Sequence, residues 1–112
     1  ALEFFNRASL AKSDFLLALS NQSLTMYQLG YLDQAELELR GIVQKYPMFA
    51  DARAALSALL WHKGFLGEAK SNWAAAVGLD NRYKRQDWLL RIRRWPPEPT
   101  KDLLAFLALE NS

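Results

Sequence analysis

Apolar residues recur along this chain at the three- and four-residue spacing of amphipathic helices, not at the two-residue spacing of strands. The spacing is interrupted by glycine, proline or short polar stretches, which end helices. The pattern therefore predicts an all-α fold. Its helices are expected at about 1–12, 14–29, 32–45, 50–63, 66–79, 83–94 and 100–110.

The pattern repeats along the chain at a constant spacing. This period equals the number of residues that separate Gly30 from Gly64. The phrase GYLDQAE, which begins at Gly30, returns as GFLGEAK, which begins at Gly64. Each glycine is expected to end the first helix of a pair, because glycine adopts a positive φ at low cost. The small residues Ala35 and Ala69 would lie where the two helices approach most closely. Pro47 would close a second helix, since proline has no amide hydrogen to donate.

Both full copies of the unit share a set of small and large positions. They are Ser23, Met26, Gly30, Leu32, Ala35, Leu39, Ile42 and Pro47 in the first copy, and Ser57, Leu60, Gly64, Leu66, Ala69, Trp73, Ala76 and Asn81 in the second. This spacing resembles the tetratricopeptide repeat (TPR). The resemblance implies antiparallel helix pairs that stack as a short right-handed superhelix, with a concave groove and a C-terminal capping helix.

The repeat divides a single domain into four segments. Ala1, Phe5 and Ala8 lie one period before equivalent positions of the next unit, so the chain opens on the second helix of a truncated repeat. We therefore expect the parent protein to carry at least one more helix upstream, which would cover Leu2 and Phe5. The segments are 1–14 (the truncated repeat), 15–48 and 49–82 (full repeats), and 83–112 (a degenerate repeat or cap).

The C-terminal segment departs from the repeat. Pro96, Pro97 and Pro99 are expected to stop a helix and stiffen an extended connection. Thr100 would then be the N-cap of the last helix, with Asp102 favoured in its first turn by the helix dipole. The RRWPP element with its apolar last helix resembles the tail of some TPR proteins of cyanobacteria and plastids. That resemblance implies an assembly role around the photosynthetic apparatus.

Composition excludes several kinds of chemistry. The chain of 112 residues has no cysteine, which excludes disulfides, thiolate metal sites and a cysteine nucleophile. Its one histidine, His62, has no catalytic partner at a useful helical spacing, and its five glycines form no phosphate-binding loop. No apolar run approaches the ~18 residues of a membrane span. We therefore predict a protein that is not an enzyme and that binds no metal or cofactor.

The concave groove is the first candidate binding site. Asn21 alone fits a clamp for a terminal carboxylate, while Ser20 and Asp51 stand where basic residues would help, which argues against such a clamp. Tyr27 and Trp61 are the expected aromatic anchors, and packing of both against helices of the same chain is an equal alternative. The predicted groove residues are Leu17, Ser20, Asn21, Leu24, Tyr27, Gln28, Asp51, Trp61 and His62.

Two further surfaces lie in the last third of the chain. A basic surface comprises Arg82, Lys84, Arg85, Arg91 and Arg94, with Arg93 in the same stretch, interleaved with Tyr83, Trp88 and Trp95. Its simplest role is a solvated cap, followed by binding to an acidic protein, then lipid, then nucleic acid. An apolar surface on the final helix comprises Leu104, Phe106 and Leu109.

Together these features favour a protein-interaction module, a scaffold or assembly factor that binds a protein or peptide segment. Homo-oligomerisation through the apolar surface is one alternative. Peripheral binding to an anionic surface through the basic helix is another, with nucleic acid the least favoured partner. The net charge of +2 is too small to argue for nucleic acid by itself. The sequence does not predict a cellular location.

Overall fold

The computed structural model describes the backbone of residues 2–110 and the side chains of residues 12–110, and this part of the chain contains helices and no strand. The predicted all-α fold is therefore confirmed. The elements are α1 (Leu2–Gln28), α2 (Leu32–Lys45), α3 (Ala50–Lys63), α4 (Leu66–Leu79), a 3₁₀ turn (Asn81–Lys84), α5 (Gln86–Arg91) and α6 (Pro97–Glu110).

Helices α1 and α2 form one hairpin, and α3 and α4 form another. Gly30 and Gly64 lie in the two turns, each with φ of 90°, a conformation that side chains with a Cβ rarely adopt. Ala35 and Ala69 are fully buried, which allows the helices of each pair to approach closely. The predicted glycine turns and the burial of both alanines are confirmed.

A comparison of two glycines separates the free-energy cost of a positive φ from the effect of steric clashes. A Cβ added at Gly64 or at Gly78 would meet no atom within 4 Å, but only Gly64 has a positive φ. Replacing Gly64 with alanine should lower the free energy of unfolding by about 1 kcal/mol. Replacing Gly78, inside α4, should raise it by about 0.5–1 kcal/mol. Urea denaturation of both variants would check this, and shifts of the same sign would contradict it.

The predicted break between residues 12 and 14 is wrong, since α1 is a continuous helix of 27 residues. Ser13 occupies the position that Pro47 holds one period later. Serine keeps its amide hydrogen and can continue a helix, whereas proline cannot. The side chains of Leu2 and Phe5, which an upstream helix was expected to cover, lie outside the described residues.

The predicted helix 83–94 is also wrong. The chain turns at Asn81–Lys84, and α5 ends at Arg91. Arg94 then takes a left-handed conformation with φ of 54°, which directs the chain away from the helix axis. Trp95 is buried while Ile92 is exposed, although residues three apart would lie on one face of a continuous helix.

Helix α6 begins at Pro97, ahead of the predicted start at Thr100. Proline is well suited to the first helical position because the amide hydrogen it lacks would have no partner there. Thr100 is therefore inside the helix, where its hydroxyl donates to the Pro96 carbonyl at 2.9 Å. The predicted extended connection and N-cap are corrected accordingly.

Ion pairs connect α2 with both helices of the second hairpin. The Lys63 ammonium lies 2.6 Å from carboxylate oxygens of Asp33 and Glu36, and Arg40 lies 2.8 Å from both Glu36 and Glu68. The Lys63 hydrogen bond, followed by that of Arg40, lowers the pKa of Glu36. The two pairs with exposed partners, Lys63–Asp33 and Arg40–Glu68, stabilise little, but together the pairs connect α2 with α3 and α4.

Candidate functional site

The C-terminal segment, residues 81–110, covers one face of the two hairpins. Helix α6 packs against α1 and α3, and its Leu103 and Phe106 are buried in the common core. We call the covered face of α1 and α3, which includes Ser20, Leu24 and Asp51, the inner face. The polar anchors of the segment on this face form two clusters.

The first cluster surrounds Asp51, whose side chain is 0% exposed. Its Oδ1 accepts hydrogen bonds from the Tyr83 hydroxyl at 2.8 Å, from Arg93 Nε at 2.8 Å and from Trp95 Nε1 at 3.0 Å. Its Oδ2 accepts from Ser20 Oγ and lies 2.7 Å from a terminal nitrogen of Arg93. One carboxylate thus joins α1 and α3 to three side chains of the C-terminal segment.

The charges of this cluster compensate each other. Burial lowers the pKa of Arg93, but the hydrogen bonds and the negative charge of Asp51 outweigh it and raise that pKa above its usual range. Burial, followed by the charge of Asp51, raises the pKa of Tyr83. Throughout the described part of the chain, every buried side-chain nitrogen and oxygen has a hydrogen-bond partner, as a stable buried polar cluster requires.

The second cluster surrounds Asp102 in α6. Its Oδ2 accepts a hydrogen bond from the Tyr27 hydroxyl at 2.6 Å and lies 3.1 Å from His62 Nδ1. Nearby, the Gln28 side-chain oxygen accepts from the Glu98 amide at 2.8 Å. The sequence predicts that Asp102 interacts favourably with the dipole of the last helix. In the structure its carboxylate instead attaches α6 to both α1 and α3.

Alkaline pH should weaken both clusters. Burial is the largest cause that raises the pKa of Tyr27 and of Tyr83 above their ordinary value of 10.0, and the neighbouring carboxylates add to it. Both phenols stay protonated in the folded chain at a pH that ionises them in the unfolded chain. Their contribution is therefore complete below about pH 10 and is lost as the pH rises above it. One pH unit higher, each should cost ~1.4 kcal/mol.

Denaturation in urea at several pH values would measure this loss. The Tyr27→Phe variant is the control, because it keeps the ring and removes the ionisable hydroxyl. Its stability should fall less steeply with pH than that of the wild type. An identical pH dependence in both proteins would contradict the assignment to Tyr27.

Most of the predicted groove residues contact the chain's own C-terminal segment or lie beside it. Asn21 is exposed, and its side-chain oxygen is 3.4 Å from an Arg93 nitrogen. Trp61 is half-buried and packs against the core, while His62 is exposed beside Asp102. Leu17 and Gln28 are half-buried; Ser20, Leu24, Tyr27 and Asp51 are buried. The expected groove is therefore filled, as in the alternative of packing within the chain.

Sequence reasoning missed the partners of the inner face. Arg93 belongs to the predicted basic stretch, and Trp95 is one of the aromatic residues interleaved with it. Both reach Asp51 from far along the chain, at separations of 42 and 44 positions, which local periodicity does not report. One available signal was Asp51 itself, a single carboxylate at the start of the apolar helix ADARAALSALL.

The basic surface is divided between paired and unpaired side chains. Arg82 binds both carboxylate oxygens of Asp80, and its guanidinium lies 4.8 Å from the centre of a Trp88 ring. Arg93 points inward to Asp51. Lys84, Arg85, Arg91 and Arg94 are exposed, and of these Arg85 approaches Asp87 at 4.0 Å.

The predicted apolar surface of the last helix does not form as one surface. Phe106 is 1% exposed and belongs to the chain's own core. Leu104 is half-buried, and Leu109 is 59% exposed. Phe106 is therefore unavailable for self-association, because it covers the inner face of its own hairpins.

No family model, no curated protein and no solved structure matches this chain. Within residues 2–110, no helix combines the length and apolar character needed to cross a membrane. Among the side chains of residues 12–110, no group of three or more histidines and carboxylates could hold a metal ion.

Proposed function

We propose that this chain is a non-enzymatic protein-interaction module, a TPR-like scaffold whose inner face binds a polypeptide segment. The observation that carries the proposal is the present occupant of that face, the chain's own residues 81–110. The repeated unit, the two glycine turns and the buried alanines support stacked TPR-like pairs.

The chemistry of the inner face suits a polypeptide. Asp51 receives donors from an arginine, a tyrosine and a tryptophan, the residue types that dominate binding energy at protein interfaces. Asp102 and Gln28 add anchors further along the face. A partner with similar donors would bind there in exchange for the C-terminal segment. Its apparent affinity is therefore the intrinsic affinity multiplied by the fraction of molecules whose inner face is uncovered.

A reversible covalent lock tests this proposal. The chain has no cysteine, so Gln28→Cys with Glu98→Cys would introduce a single cysteine pair where the Gln28 side chain contacts the backbone of α6. Proteins from the source cells should bind the reduced variant and be lost on oxidation. The single Gln28→Cys variant, treated identically, is the control. Equal capture in both states would contradict binding at the inner face, and no specific capture in either would contradict an interaction function.

A second candidate is an acidic protein partner on the basic surface. Arg91 and Arg94 are exposed and make no ion pair within residues 12–110, and the intervening Ile92 is 67% exposed. Binding of a polyglutamate peptide should weaken steeply between low and moderate salt. It should weaken further in an Arg91→Gln, Arg94→Gln variant but not in a Lys70→Gln control. A flat salt response would remove this candidate.

A further inference from the structure

A second, open groove lies between α1 and α2, away from the inner face. We call it the outer groove; its volume is about 360 Å³. Phe15 lies along it and is 54% exposed, although phenylalanine favours burial. Its lining includes Leu19, Gln22 and Ser23 of α1 and Gly41 of α2.

The equivalent face one repeat later is covered. Gln22 of the outer groove is exposed, whereas Leu56, its equivalent one period on, is 2% exposed. Helix α2 packs against α3 there. Arg53 of that face donates to the Pro47 carbonyl at 3.1 Å, and Arg40 of α2 reaches Glu68 of α4 at 2.8 Å. Helix α2 is the second helix of one unit, and it covers the first helix of the next unit. By this pattern, the outer groove would be covered by the second helix of a preceding unit.

Gly41 supports a close helical contact in the outer groove. It lies inside α2, where glycine destabilises the helix by about 0.5–1 kcal/mol relative to alanine. Nothing within residues 12–110 requires the absence of a side chain there, because a Cβ would meet no atom within 4 Å. A helix backbone approaching from outside would use that space.

The chain carries one further copy of the second-helix pattern, in residues 1–8. Ala1, Phe5 and Ala8 stand one period before Ala35, Leu39 and Ile42. The backbone of this segment, from Leu2 onward, however, continues α1 without a break. A continuous helix cannot fold back onto its own side, so this segment cannot enter the groove that its own α1 lines.

We infer that the outer groove receives the N-terminal part of α1, residues 2–12, from a second copy of this chain. The Lys12 ammonium lies 5.4 Å from the centre of the Tyr46 ring, and Tyr46 is the first residue after α2. Helix α2 thus ends level with Lys12, and α1 continues beyond it. Two copies related by a two-fold axis would place each extension in the partner's groove, with the α1 helices antiparallel.

The dimensions agree with this arrangement. Residues 2–12 form about 16 Å of helix, and the groove from Phe15 to Ser23 spans about 14 Å of α1, at ~1.5 Å per residue. The antiparallel orientation is also the one in which a second helix packs beside the first helix of the next unit. In this arrangement each chain covers its partner's groove with residues 2–12, a segment that a single chain could otherwise pack onto itself. Such domain swapping is a low-cost route to a dimer.

Light scattering of the full chain from micromolar to near-millimolar concentration tests the inference. The wild type should approach twice the mass of one chain. Gly41→Leu should remain a monomer, because its side chain enters open space in one copy but blocks the groove. Gly78→Leu adds the same side chain elsewhere in open space and should leave the dimer intact. A monomeric wild type, or a dimeric Gly41→Leu, would overturn the inference.

Two more variants identify the exchanged segment. Ser13→Pro should break α1 where Pro47 ends α2, allowing residues 1–12 to close onto their own groove and shifting the mass to that of a monomer. Ser13→Ala keeps the helix and should stay dimeric. A Ser13→Pro variant that remains a dimer counts against the inference. So does a dimer that Leu109→Ser abolishes and Gly41→Leu leaves intact, because its interface would then lie on α6. The inference does not depend on the proposed function.

Discussion

Replacing Asp51 with alanine should lower the free energy of unfolding by about 3–5 kcal/mol, because removal of one partner leaves a buried charge uncompensated. The side chain is fully buried and accepts hydrogen bonds from α1 and from the C-terminal segment. In its absence Arg93 keeps its charge in a largely buried place, and the Trp95 N–H loses its acceptor. Such unsatisfied groups carry their full desolvation cost.

Denaturation in urea would measure the loss, and Asp33→Ala is the matched control. The Asp33 side chain is 97% exposed although it also contacts a basic residue, so its removal should change stability far less. A double variant, Asp51→Ala with Arg93→Met, should recover part of the loss because no charge remains buried. A fall in stability as small as that of the control would show that the Asp51 cluster does not hold the segment.

Replacing Phe106 with alanine should also lower the free energy of unfolding by about 3–5 kcal/mol. Its ring is almost completely buried, where α6 packs against α1 and α3. Truncation removes the apolar contact and leaves a cavity that the surrounding helices can fill only in part. Hydrogen exchange should then report faster opening of α6 than of α3.

Phe65→Ala is the control for this variant. Phe65 precedes α4 and is half-exposed, so the same change of side chain should cost at most about 1 kcal/mol. Equal losses in both variants would mean that α6 contributes no more to the core than a surface side chain. Uniform hydrogen exchange in all helices would indicate that α6 unfolds only together with the hairpins.

Much of the two hairpins could be predicted from local pattern. The bounds of α2, α3 and α4 agree with the sequence expectation, because amphipathic spacing, the αL glycines and Pro47 act within a few residues of each other. The candidate site was less accessible. Helical spacing indicates which residues of α1 and α3 share a face, but their partners lie far along the chain.

Sequence alone therefore established the helical hairpins, their constant period and the glycines and alanines on which they turn and pack. Tertiary structure decided three other features: the continuity of α1 through Ser13, the fold of residues 81–110 and the occupant of the inner face. Each depends on contacts between distant residues, such as the hydrogen bond from Tyr27 to Asp102 across 75 positions. Periodicity indicates which face of a helix is apolar and favours burial. The tertiary structure determines which residues cover that face.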